Sequence, residues 1–247
     1  MRTSLGVLAL AFVVGSFASS AAATEVTESN DSTLNGVPST PLNAFLAGES
    51  VAAWFTASCT GDVVAAQVYW ASQLGGANSQ LEHSITIFGG GTHPTPGPVL
   101  INQGGANAVV SGPTLFDGVM NEFRFLDPPT NATALRVPVV VGQPFVVSLL
   151  FLNQSSGGAP FAPAPTIDQD GCQPATNAVD VLPGGWSDAC PLGVTGDFVI
   201  RAIVDCAPAS VPAARSWSLA LLSAVLAAIG LLATNRLRRA PALSRVP

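Results

Sequence analysis

The sequence predicts an all-β protein: an antiparallel β-sandwich with the jelly roll as the favoured topology, plus an N-terminal signal peptide and one C-terminal transmembrane helix. Three observations predict it. Apolar residues alternate with period two between residues 46 and 206, turn-forming Gly, Pro, Asn and Asp interrupt the alternation, and long uncharged apolar runs lie near the two ends of the 247-residue chain. An immunoglobulin-like sandwich is the alternative topology.

The first segment, residues 1–23, has the pattern of a secretory signal peptide. Arg2 precedes an apolar segment that runs from residue 5 to residue 17, and three alanines at 21–23 offer a cleavage site for a signal peptidase. The apolar segment is too short to span a bilayer comfortably. The mature chain is therefore predicted to begin at Thr24.

The next segment, residues 24–45, is polar and acidic and contains two prolines. It offers little apolar area for burial, so we expect a flexible lead-in. Residues 46–206 then remain for the folded domain, which is enough for a single all-β core.

Seven strands are predicted in that domain from the alternation and the turn residues. They are residues 51–58, 63–70, 84–88, 122–126, 135–141, 145–152 and 198–205. The segment 145–152 is apolar at nearly every position, which predicts a central strand covered on both faces. Gly142-Gln143-Pro144 before it predicts a hairpin with the preceding strand. In the last strand, alternate residues from Phe198 to Val204 predict one buried face.

Four cysteines lie in the part of the chain predicted to be exported, where disulfides persist. Three pairings are open to them. We favour Cys172 with Cys190, which closes a Gly- and Pro-rich loop, and Cys59 with Cys206, which fastens an early strand to the last one. A zinc site is the alternative, but the spacings contain no Cys-x-x-Cys and both histidines are distant in sequence.

The C-terminal part of the chain comprises a linker at 207–216, a transmembrane helix at 217–235 and a basic cytoplasmic tail at 236–247. The uncharged run from Trp217 to Thr234 forms a helix of roughly 27 Å, close to the thickness of a bilayer's hydrocarbon core. Arginines that follow it predict a cytoplasmic C-terminus. They are Arg236, Arg238 and Arg239. A buried core helix is the alternative, and the charge placement argues against it.

The junction before this helix resembles a bacterial C-terminal sorting signal of the exosortase type. The match is to the variant that opens Ile-Pro-Thr-Leu-Ser-x-Trp, and it is carried by Val211, Pro212 and Trp217 together with the helix and the arginines. The Val-Pro-Glu-Pro variant, that of the PEP-CTERM signal, matches only at the first two of these residues. The resemblance implies that an exosortase-like enzyme removes the helix and passes the domain to the cell surface. Ala214 and Arg215 depart from Leu and Ser, so permanent membrane anchoring stays open.

The domain itself resembles a loose class of secreted bacterial β-sandwich modules. Short motifs carry this resemblance, among them residues 68–70, 84–88, 184–187 and 196–201. It implies a fold and an extracellular setting, and no ligand.

The charge pattern excludes nucleic acid as a partner. All fifteen acidic residues lie within residues 24–206, a stretch that contains three arginines and no lysine and so carries a net charge of −12. Phosphate contacts need clustered Lys or Arg. A scan for reactive motifs finds no Gly-x-Ser-x-Gly, no His-Glu-x-x-His and no phosphate-binding glycine loop, so neither an enzyme nor a cofactor is predicted.

Binding residues can be named only as candidates. Asp168 and Asp170 could supply oxygen ligands to calcium, although a hydrogen-bonded turn is favoured there and no metal site is predicted. Trp186, expected in a Gly-rich loop, and Tyr69, expected on an outer strand face, could stack on a surface glycan. The predicted function is a non-catalytic, exported cell-surface protein, structural or adhesive. A carbohydrate-binding surface module is the alternative, and a glycoside hydrolase ranks below it.

Overall fold

A computed structural model describes residues 24–72, 79–154, 164–207 and 224–227. The first three ranges belong to one compact unit, and residues 224–227, which are helical, belong to a second. All strand pairs in the described ranges are antiparallel. The strands are β1 (Thr24–Ser29), β2 (Ser39–Pro41), β3 (Ser50–Thr56), β4 (Gly61–Ala71), β5 (Ser79–Leu81), β6 (Ser84–Gly89), β7 (Val109–Ser111), β8 (Thr114–Phe116), β9 (Val119–Phe123), β10 (Val137–Val139), β11 (Pro144–Leu150), β12 (Ala164–Asp168), β13 (Asn177–Val181), β14 (Gly185–Asp188) and β15 (Ile200–Cys206).

Two large sheets make up the domain, consistent with a β-sandwich. Sheet 1 has the order β1-β15-β4-β12-β2, with β9 and β10 also paired to β4. Sheet 2 has the order β14-β13-β3-β11-β6-β7, and β5 pairs separately with β8. The inner faces of both sheets contribute to one apolar core. The predicted all-β, antiparallel class is confirmed.

The core lies between the sheets and is rich in aromatic rings. Trp70 and Phe145 are fully buried, and the rings of Phe45 and Phe151 stack at 4.9 Å between centroids. Phe198 and its alternate neighbours up to residue 204 are almost fully buried, as predicted for one face of the last strand. The prediction that only one face is buried is wrong, because Val199, Arg201 and Ile203 on the other face are buried as well.

The strand predicted at 145–152 is central, but its predicted hairpin is wrong. β11 lies between β3 and β6, and its residues 145–149 are buried. The preceding strand, β10, pairs instead with β4 in sheet 1. The turn at Gly142, whose φ of +78° favours glycine, therefore carries the chain from one sheet to the other.

The flexible lead-in expected at 24–45 is instead part of the folded domain. β1 pairs along its whole length with β15, so that Thr24 lies opposite Cys206, and β2 pairs with β12. Between these strands, a one-turn 3-10 helix at Thr33–Asn35 follows Asp31, which forms a buried ion pair of 2.7 Å with Arg201. Backbone pairing and this ion pair hold a segment that has little apolar area of its own. The folded domain therefore includes β1 and β2.

Both predicted disulfides are present. Cys59 is bonded to Cys206 with the Cα atoms 5.7 Å apart, and Cys172 to Cys190 with the Cα atoms 5.6 Å apart. Disulfides persist in oxidising surroundings, so the pair indicates an extracellular compartment.

The remaining predictions on organisation fall on the chain ends. The signal peptide at 1–23, the sorting-motif residues 211–217 and the arginines at 236–239 lie outside the described residues. Of the predicted transmembrane helix, only residues 224–227 are described. Within the ranges described, the structure holds no helix with the length and apolar character that crossing a bilayer requires.

Candidate functional site

An open pocket of about 520 Å³ lies beside β8, β9 and the loop that follows β9. Its lining combines an aromatic ring, charged side chains and prolines. The lining residues that matter below are Thr114, Phe116, Glu122, Arg124, Pro129 and Asn131. This size and this mixture are typical of small-molecule sites.

The aromatic ring of Phe116 faces the open pocket because β8 alternates its side chains. Leu115 is fully buried in the core, whereas Phe116 is 54% exposed. The side chain of Asn121 holds the backbone beneath that ring: its Oδ1 accepts the Phe116 N–H at 2.8 Å and its Nδ2 donates to the Phe116 carbonyl at 3.0 Å. A large apolar ring is thus held in solvent on a fixed backbone.

A row of four polar side chains, which we call the polar ladder, runs across the outer face of sheet 1 to the pocket. Arg124 donates from Nη1 and Nη2 to the two carboxylate oxygens of Glu25, at 2.7 and 3.0 Å. Its Nε donates to Glu122 at 2.5 Å, and Gln67 donates to the other oxygen of Glu122 at 2.7 Å. These bonds fix the planes of the guanidinium and the carboxylates.

The hydrogen bonds of the ladder shift the pKa values of two of its members, Arg124 and Glu25. The hydrogen bonds that Arg124 donates to Glu25 and Glu122 raise the pKa of Arg124 above its ordinary range. The hydrogen bond from Arg124 lowers the pKa of Glu25. A general acid needs a raised pKa, so the shift at Glu25 runs against that role.

The loop at the far side of the pocket is held by Asp127. The carboxylate accepts backbone N–H groups from Thr133 at 2.8 Å and from Ala132 at 3.2 Å, and it also accepts the Thr130 hydroxyl. The bond from Thr130 and these backbone bonds lower the pKa of Asp127. The loop therefore presents Asn131 to the pocket in a preformed shape.

A second group of aromatic side chains, the closed aromatic cluster, covers the outer face of sheet 2. It consists of Trp54, Phe88, His93 and Trp186. The Trp54 ring meets the ring of His93 edge-on at 4.9 Å and that of Trp186 at 6.5 Å, and its Nε1 donates to the Gly90 carbonyl at 2.7 Å. The rings pack against one another, and Trp54 is buried among them.

The two predicted glycan-stacking residues are not brought together. Trp186 lies on β14 and not in the expected loop, and it packs in the closed aromatic cluster of sheet 2. Tyr69 lies on β4 in sheet 1 and donates its hydroxyl to the Gly118 carbonyl at 3.4 Å. The glycan role of either residue stays a prediction.

Of the two acidic residues considered for calcium, Asp168 is engaged in holding the fold. Asp168 is buried and accepts the N–H of Ser32 and the N–H of Asp197, each at 2.8 Å. Burial, with the neighbouring Asp170 carboxylate, raises the pKa of Asp168. Across the described ranges, no group of three or more His, Cys, Asp or Glu residues is placed to hold a metal ion. The calcium site at Asp168 and Asp170 stays a prediction.

The pocket residues Phe116, Glu122 and Arg124 were not singled out from the sequence. Only the rarity of arginine in the domain pointed to Arg124, and nothing marked the other two. Their proximity depends on how β8 and β9 pack, which a local pattern does not contain.

Comparison with known proteins adds no relative: the chain matches no protein-family model, no curated protein and no solved structure. Fold and site together define an extracellular, disulfide-closed, antiparallel β-sandwich-like domain with an open pocket on it.

Proposed function

We propose that this chain is a non-catalytic, exported cell-surface protein, structural or adhesive, that is held or sorted through its C-terminal helix. The observation that carries the proposal is the covalent closure of the domain by two disulfides, one of which ends at Cys206, immediately before the predicted linker. Small exported domains use such bonds to remain folded outside the cell.

The ends of the domain also support an export role. Thr24, where the signal peptide is predicted to be cut, pairs directly with Cys206, where the domain gives way to the linker. Both ends of the stretch 24–206 therefore lie at the same point of sheet 1. The −12 charge of this part suits a soluble surface that does not adhere to anionic lipid headgroups.

Membrane attachment and its processing are proposed from the sequence of the tail. The uncharged run from residue 217 and the arginines after it support a single-pass anchor whose C-terminus is cytoplasmic. The resemblance at Val211, Pro212 and Trp217 supports cleavage by an exosortase-like enzyme, after which the domain is transferred to the surface.

Mass analysis of the chain recovered from the surface of its own cells tests this proposal. We expect an N-terminus at Thr24 and a new C-terminus near Pro212. An intact end at Pro247 would leave anchoring and reject processing, and absence from the surface fraction would reject export. Trp217→Ala should block the cleavage, whereas the matched tail variant Arg245→Ala should be cleaved normally.

Within the β-sandwich we propose the jelly-roll topology. Eight strands support it: sheet 1 contains the order β1-β15-β4-β9, and sheet 2 contains β3-β11-β6-β7. Along the chain these eight strands alternate between the sheets except at β6 and β7, as two Greek keys require. β13 and β14 extend sheet 2 beyond β3.

The open pocket supports a second candidate, a carbohydrate-binding surface module. Exposed Phe116 beside the polar ladder is the observation that favours it. A glycoside hydrolase is less well supported, because the lowered pKa of Glu25 opposes a role as proton donor.

A further inference from the structure

We infer that the open pocket binds a neutral saccharide, with the ring of Phe116 stacked on the C–H face of a sugar and the polar ladder bonded to its hydroxyls. The inference rests on the proposed exported function, because a surface protein meets extracellular glycans. It names the ligand class and the residues that bind it.

The first argument is the exposure of Phe116. Its ring is 54% exposed although the chain has a large core that could bury it, and its backbone is fixed by two bonds to Asn121. A solvent-facing phenylalanine ring beside a concavity has two side-chain torsions and a fixed backbone, so it offers apolar contact at a small cost in side-chain entropy. The C–H face of a sugar ring is flat and apolar enough to use it.

The second argument is the geometry of the polar ladder. Arg124 and Glu122 are 39% and 35% exposed at their side chains, so both still reach solvent. Their mutual bonds hold them flat and leave carboxylate lone pairs free to accept hydroxyl donors. Fixed planar donors and acceptors next to an aromatic ring match a molecule with many hydroxyls around an apolar face.

The third argument is charge, which selects a neutral ligand. At the ladder two carboxylates, those of Glu25 and Glu122, surround the single guanidinium of Arg124. Residues 24–206 as a whole carry −12. A sulfated or uronic-acid glycan would be repelled by both, whereas a neutral sugar meets no such penalty.

The preformed loop completes the site. Asp127 fixes the loop that carries Pro129 and Asn131 at the pocket wall. A site already shaped before binding loses less entropy when the ligand arrives.

The test is binding of the full chain, with its disulfides intact, to an array of neutral and anionic oligosaccharides, followed by titration with the best neutral oligosaccharide. We expect binding to neutral members. Phe116→Ala should weaken it by about tenfold or more, while Phe116→Tyr should keep it. The control is Val141→Ala, because Val141 is 56% exposed and lies outside the pocket.

Three outcomes would overturn the inference: no binding to any neutral glycan, binding only to anionic glycans, or binding that Phe116→Ala leaves unchanged. Recovery of each variant from the surface fraction separates the two proposals. A protein that reaches the surface and binds no sugar rejects the ligand alone, whereas one that never reaches the surface rejects export.

Discussion

The outer faces of the two sheets differ in the side chains that cover them. On sheet 2, the closed aromatic cluster packs rings against one another, with Trp54 in the middle and bonded to the backbone at Gly90. On sheet 1, the outer face is crossed by charged groups: the buried pair Asp31–Arg201 and the exposed polar ladder. The comparison teaches that the number of aromatic residues on a face does not mark a ligand site. A candidate site is indicated by a ring that stays exposed instead of packing against other rings of the fold.

The largest loss of stability is expected for a change in the closed aromatic cluster. Trp54→Ala should lower the free energy of unfolding by about 3 to 5 kcal/mol, because it removes a buried ring and leaves the space unfilled. Trp54→Phe, which keeps a ring but loses the bond to Gly90, should cost less. Urea unfolding followed by circular dichroism measures both. A loss below about 1 kcal/mol for the alanine variant would mean that the cluster does not stabilise the face.

The next effect concerns the buried ion pair on sheet 1. Asp31→Ala leaves Arg201 buried without its partner and should cost about 3 kcal/mol at neutral pH. Arg136→Ala is the control, since its ion pairs are longer, at 3.8 and 3.9 Å, and its side chain is 49% exposed, so it should cost under about 0.5 kcal/mol. Similar losses in the two variants would contradict the distinction between a buried and an exposed pair.

The same pair predicts a pH dependence. Burial alone would raise the pKa of Asp31, but the hydrogen bonds from Arg201 and Thr33 outweigh it and hold the pKa below its ordinary 3.8. The stabilisation is therefore present above about pH 4 and is lost as the pH falls through the lower folded value. The stability gap between wild type and Asp31→Ala should narrow in acid, and a gap that widens there would contradict the assignment.

The smallest expected effects on stability compare a ring of the closed aromatic cluster with the exposed ring at the open pocket. Trp186→Ala should cost about 1 to 2 kcal/mol, because the ring packs at the edge of the closed aromatic cluster. Phe116→Ala should change stability by less than about 0.5 kcal/mol, because the ring is mostly in solvent. Chemical unfolding of the pair in parallel measures this, and equal losses would remove the contrast between closed and open rings.

Local patterns in the sequence predict the strands in which apolar and polar residues alternate strongly. They do not predict strands that lack this alternation and form only because their backbone pairs with a neighbouring strand. β3, β4, β6 and β11 follow their predicted segments closely, since each has apolar residues facing the core. β1 has no such pattern and exists because its backbone pairs with β15. Three-residue strands such as β8 are too short to carry a period.

The hairpin and the polar ladder show a second limit of local sequence patterns. Such patterns do not reveal contacts between residues that are distant in sequence. The turn at Gly142 has the residues of a hairpin. However, β10 pairs with β4 and β11 pairs with β3, and these partners are distant in sequence, so a short segment of sequence does not reveal them. The disulfide pairing could be predicted because Cys172–Cys190 closes a local loop and Cys59–Cys206 joins the ends of two predicted strands. The open pocket could not, because its lining residues between 112 and 131 belong to short strands and a loop, which carry no clear periodic pattern. The polar ladder could not either, because Arg124 meets Glu25 across 99 residues.

The Cys59–Cys206 bond decides how the domain would carry a load if its tail is the tether. A pull from the tail enters at residue 207, at the end of β15, and would otherwise open the pairs of β15 with β1 and β4 one at a time. The disulfide passes the tension instead to residue 59, in the connection between β3 and β4, before those pairs are stressed. Force is then shared between both sheets, and the domain resists being unzipped from its point of attachment.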